Sequence, residues 1–69
     1  MQCFAYCPEC KKAVSDAVLV PGSPENLQRG EGDVFLAHYV QDPLVGEHRW
    51  RVTDPDELTR LRNLLRRQA

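Results

Sequence analysis

The chain has 69 residues, of which 42% are apolar and 28% charged, and a formal net charge of −1. That length makes one small domain, 1–69, too short for most enzyme scaffolds that must carry a buried cleft beside a core. The near-neutral balance gives no whole-molecule field favouring nucleic acid or a cationic partner. The apolar runs are too short to cross a bilayer.

Residues 2–6 are apolar and aromatic and read as a strand leading into Cys7-Pro8-Glu9-Cys10. Residues 13–20 end in a β-branched run, a second strand stopped by Pro21 and Gly22. Ser23-Pro24-Glu25 supplies a capping hydroxyl, a proline at the first helical position and an acid. A short helix over Pro24–Arg29 follows, held to the body by Leu27 and ended by Gly30. Residues 33–40 form the clearest strand, and 41–47 read as a hairpin loop built on Asp42-Pro43 and Gly46. Residues 48–53 alternate cleanly and return the chain as a strand.

Asp54-Pro55-Asp56-Glu57 is a helix start with a capping carboxylate, proline and two acids in the first turn. Leu58, Leu61, Leu64 and Leu65 then recur at helical spacing, so a helix over Pro55–Arg67 presents one apolar stripe. The expected fold class is α+β: a small antiparallel sheet with the C-terminal helix packed on it, stapled by a metal.

Charge is unevenly spread. Residues 1–57 hold ten acids and five bases, whereas 58–69 hold four arginines and no acid. Arg60, Arg62, Arg66 and Arg67 read as a solvated helix face whose cations suit the negative end of the helix dipole. They are also the residues to which an acidic partner would dock.

The three cysteines, Cys3, Cys7 and Cys10, all fall in the first ten residues. Chains below about 70–80 residues seldom gain a comfortable margin from an apolar core alone, and a metal or disulfide often supplements it. No charged leader followed by a long apolar stretch is visible, so a cytoplasmic location and reduced thiols are expected, which favours metal over disulfide. Zinc takes four nitrogen or sulfur ligands in a tetrahedron. A Cys-x-x-Cys turn supplies two of them, with the amides after Cys7 free to donate to its sulfur.

Centring the hairpin on Leu44 sets His38 opposite Trp50 and Val40 opposite His48. Alternation then puts Val34, Leu36, His38, Val40, His48, Trp50 and Val52 on one face. The two histidines become diagonal neighbours, about 7–8 Å apart at the backbone. The expected ligand set is Cys7, Cys10, His38 and His48; the alternative is Cys3, Cys7 and Cys10 with one histidine.

The Cys7-Pro8-Glu9-Cys10 turn resembles one knuckle of a zinc ribbon, over about Phe4 to Lys12. The second knuckle is replaced by the histidine hairpin. The resemblance implies a nucleic-acid-binding or protein-binding module with structural zinc. The Cys3-x3-Cys7-x2-Cys10 spacing is also similar to the cluster motif of radical SAM enzymes, but those need a barrel several times longer. No catalytic set stands out. The expected function is a non-enzymatic zinc-binding interaction module with a protein partner. Two alternatives stand beside it: a nucleic-acid module using Arg49, Arg51 and Tyr39, and a small thiol- or metal-dependent redox protein.

Overall fold

In β1 (Gln2–Cys7), Cys3, Ala5 and Cys7 turn inward while Gln2, Phe4 and Tyr6 stay exposed, as period-2 alternation requires. The computed structural model describes residues 2–68. After β1 come β2 (Lys12–Leu19), α1 (Ser23–Arg29), β3 (Phe35–Tyr39), β4 (Glu47–Arg51) and α2 (Pro55–Gln68). The strands form one antiparallel sheet in the order β1-β2-β3-β4, so the α+β class expected from sequence holds.

The concave face of the sheet carries the core. Cys3, Ala5, Val14, Ala17, Leu36 and Val52 pack there with Leu27 of α1 and Leu61 of α2. Burying a leucine such as Leu61 completely contributes about 2–3 kcal/mol. Leu58, Leu64 and Leu65 are half-buried around it. The start of α2 follows the expected chemistry: the Asp56 amide donates to Asp54 Oδ1 at 3.2 Å, and the Leu58 amide donates to Asp54 O at 3.0 Å.

Three local expectations are corrected. Ser23 does not cap α1. It is the first helical residue and is buried, and its Oγ accepts the Phe35 amide at 2.9 Å, tying α1 to β3. The hairpin register also differs by two residues. Leu36 pairs with Trp50, Ala37 with Arg49, and His38 directly with His48. The cause is the loop. Gly46 adopts φ 75°, a left-handed conformation, and its amide donates to Asp42 O at 2.9 Å. Asp42 Oδ1 accepts the Leu44 amide at 2.9 Å, so the turn centres on Pro43 rather than Leu44. A shift of two preserves face membership. The two histidines therefore remain on the concave face but stand opposite each other instead of diagonally.

The third correction concerns Arg60 and Arg62, which are not simply solvated. Arg60 pairs with Glu57, and Arg62 Nε donates to Leu27 O at 3.0 Å, joining α2 to α1. Arg66 and Arg67 lie exposed in the last turn of α2.

In β2 the pairing slips. Cys3 pairs with Ala17 but Ala5 with Val14, so Ser15 and Asp16 together oppose Phe4 as a β-bulge. The outer face of the sheet exposes three large aromatics, Phe4 (62%), Tyr6 (60%) and Tyr39 (63%).

Candidate metal centre

The turn after β1 is shaped by its own backbone. The Lys11 amide donates to Cys7 O at 2.7 Å, and Lys11 sits at φ 57°, which turns the chain back sharply into β2. The Cys10 amide points at Cys7 Sγ, 3.4 Å away. That amide is placed to donate to the sulfur, as an N–H beside a metal-binding cysteine does. Pro8 holds the first corner of the turn with a fixed φ.

The partner of this turn comes from the far edge of the sheet. Neighbouring strands are about 4.8 Å apart, so the two edges of a flat four-stranded sheet lie roughly 14 Å apart. Yet His48, on β4, places Nδ1 3.3 Å from Cys10 Sγ and 3.6 Å from Cys7 Sγ. The sheet curls enough for side chains of its two edges to meet at this end, and a cleft of about 260 Å³ lies between them, lined by Ala5 and Tyr6 of β1 and Trp50 and Arg51 of β4. Cys7, Cys10 and His48 offer ligand atoms that all lie within 4.8 Å of one another, so the three are positioned to hold one metal ion. Cys7 is fully buried; Cys10 and His48 are half-buried.

Without metal the Cys10 thiol lies above its ordinary value. Desolvation is the first cause, and the hydrogen bond and negative field of Cys7 add to it, while Lys12 opposes. A metal ion removes this penalty by replacing the proton.

His38 stands across from His48 with ring centroids 6.2 Å apart. Its Nδ1 meets Asp16 Oδ1 at 2.7 Å. It lies just outside the group of three. Cys3 is placed elsewhere, buried under α2, where the charges of Arg60 and Glu57 reach it. The structure thus brings together Cys7, Cys10 and His48, sets His38 beside them, and sends Cys3 to the core.

Asp16 was missed by sequence reasoning. The signal was faint: Val14 and Ala17, both buried, are three residues apart instead of two, and Ser15-Asp16 interrupts the apolar run at that point. A broken period of two inside a strand is how a bulge reads in sequence.

Among the described residues, no helix is long and apolar enough to cross a membrane. No protein-family model matches the chain, and no significant match is found among curated proteins or solved structures.

Proposed function

We propose that the protein is a non-enzymatic protein-binding module of zinc-ribbon-like construction, with structural zinc closing its sheet and a cytoplasmic site of action. The supporting observation is the convergence of Cys7 and Cys10 with His48 from opposite edge strands. Two sulfurs and an imidazole suit zinc, and a structural site adds a fourth protein ligand. His38 fills that role in this reading, since it is the next imidazole on the same face.

A protein partner is favoured by the outer face. Phe4, Tyr6 and Tyr39 are the side chains that protein interfaces favour. The arginines beside them are already matched by acids, Arg49 to Glu47 at 2.9 Å and Arg51 to Asp33 at 3.0 Å, which leaves little free positive charge for phosphates. Arg66 and Arg67 offer a second contact region on α2.

The test is metal content with partner capture. Purified protein should carry about one equivalent of zinc, with Cys7 and Cys10 protected from alkylation until a chelator is added. Nuclease-treated extracts should yield a protein partner that the folded triple variant Phe4→Ser, Tyr6→Ser, Tyr39→Ser fails to retain. Capture that is seen only in extracts not treated with nuclease, or fast alkylation of Cys7 and Cys10 in zinc-loaded protein, would contradict the reading.

A further inference from the structure

We propose that Asp16 is a positioning residue of the metal centre, which fixes the His38 imidazole so that its Nε2 is presented as the fourth ligand to zinc. The inference rests on the zinc reading above and gives it a mechanism of closure.

The Asp16–His38 contact is short, 2.7 Å between Oδ1 and Nδ1. A carboxylate only accepts, so the proton lies on Nδ1 and the lone pair of the ring is left on Nε2. That is the tautomer a metal requires from this ring. Metal-bound histidines commonly give their other N–H to a carboxylate, which fixes the ring and raises its basicity.

Geometry supports the assignment. Two imidazoles on one tetrahedral zinc, with Zn–N of about 2.0–2.1 Å, place their ring centroids roughly 5 Å apart. His38 and His48 are at 6.2 Å, tilted by 56°. Closing that gap takes a shift of about 1 Å, which is within side-chain reach from a direct cross-strand pair. The His38 side chain is only 12% exposed, its Nδ1 is taken up by Asp16, and its Nε2 remains free to meet an ion.

The bulge explains how Asp16 comes to be there. A regular β2 would alternate from Val14 through Asp16 to Val18, with Ala17 on the outer side. The extra residue at Ser15–Asp16 resets the alternation, puts Ala17 on the core side and brings the Asp16 carboxylate to the His38 ring. Ala17 presents only a methyl group, which leaves room for that ring.

Zinc affinity, measured by competition with a chelating dye, tests the assignment in wild type, Asp16→Asn, His38→Ala, the double variant and Cys10→Ser. The Asp16 side chain is 46% exposed, so asparagine should leave the fold intact by circular dichroism. Asp16→Asn should weaken zinc binding about 10- to 100-fold. The double variant should bind no more weakly than His38→Ala alone, because the two residues act through one bond. In zinc-loaded wild type, imidazole nitrogen shifts should show His38 protonated at Nδ1 and metal-bound at Nε2. Unchanged affinity in Asp16→Asn, full additivity in the double variant, or an unligated His38 Nε2 would overturn the role of Asp16. Unchanged zinc affinity in Cys10→Ser would overturn the zinc reading itself.

Discussion

Cys7 Sγ and His48 Nδ1 lie 3.6 Å apart although their strands form opposite edges of the sheet. Local sequence cannot bring them together, since 41 residues separate them. The curl of the sheet does so, and an ion held between them would in turn fix the curl. Metal binding and closure of the fold are then one event.

That coupling sets the outcome of chelation. Removing zinc should expose the seam between β1 and β4 and lower the melting temperature sharply. Zinc in small structural sites is worth roughly 10–16 kcal/mol. Losing a sulfur ligand in Cys10→Ser should therefore remove several kcal/mol, roughly, of any zinc-dependent stability. Thermal melts with and without chelator check this. A variant that melts with wild type in zinc would show that Cys10 carries no share of the site.

Cys3 yields a pH dependence. Burial lifts its thiol above the ordinary value of 9.0; Arg60 opposes this and Glu57 adds to it. A raised value means that the folded state holds its proton more tightly than the unfolded chain. The stability contributed is full below pH 9.0 and is lost as pH rises through the folded value. Denaturant melts of zinc-loaded protein should therefore show stability falling from about pH 9 upward, and Cys3→Ala should flatten that limb. An identical alkaline fall in Cys3→Ala would remove Cys3 as its cause.

The arginines of α2 should divide by their contacts. Arg62 gives a charge-assisted hydrogen bond to Leu27 O, so Arg62→Gln should cost about 1–2 kcal/mol. Arg66 is exposed, and Arg66→Gln should change stability by less than about 0.5 kcal/mol. Urea melts of the two single variants separate them, and equal effects would show that the α1–α2 bond contributes nothing measurable.

Leu61 and Leu44 give the corresponding apolar contrast. Leu61 is fully buried against the sheet, whereas Leu44 is 94% exposed at the hairpin tip. Leu61→Ala should cost about 2–5 kcal/mol. Leu44→Ser should be close to neutral and improve solubility by removing an exposed apolar side chain. A cost below about 1 kcal/mol for Leu61→Ala would mean that α2 is loosely docked.

Much of the fold was legible because each element carries its own local chemistry. The leucine stripe and Asp54 cap specified α2, apolar and aromatic composition specified β1, alternation specified β4, and Gly30 ended α1 with its amide on Asn26 O. The Cys7–Cys10 turn was legible for the same reason, including the amide aimed at Cys7 Sγ. What escaped depended on non-local geometry. The hairpin register turned on the conformation of Gly46 and the side chain of Asp42. Asp16 reached His38 only through a bulge, and Arg62 found its acceptor on a helix 35 residues away. The curl that meets His48 with the cysteines depends on the whole sheet and leaves no mark at any one position.

X-ray absorption at the zinc edge of the metal-loaded protein tests the central claim most directly, because it counts the atoms around the ion. Two sulfurs at about 2.3 Å and nitrogen neighbours at about 2.0–2.1 Å are predicted, at about one zinc per chain. A shell of oxygen and nitrogen without sulfur, or no stoichiometric zinc at all, would contradict a metal joining the two edges of this sheet.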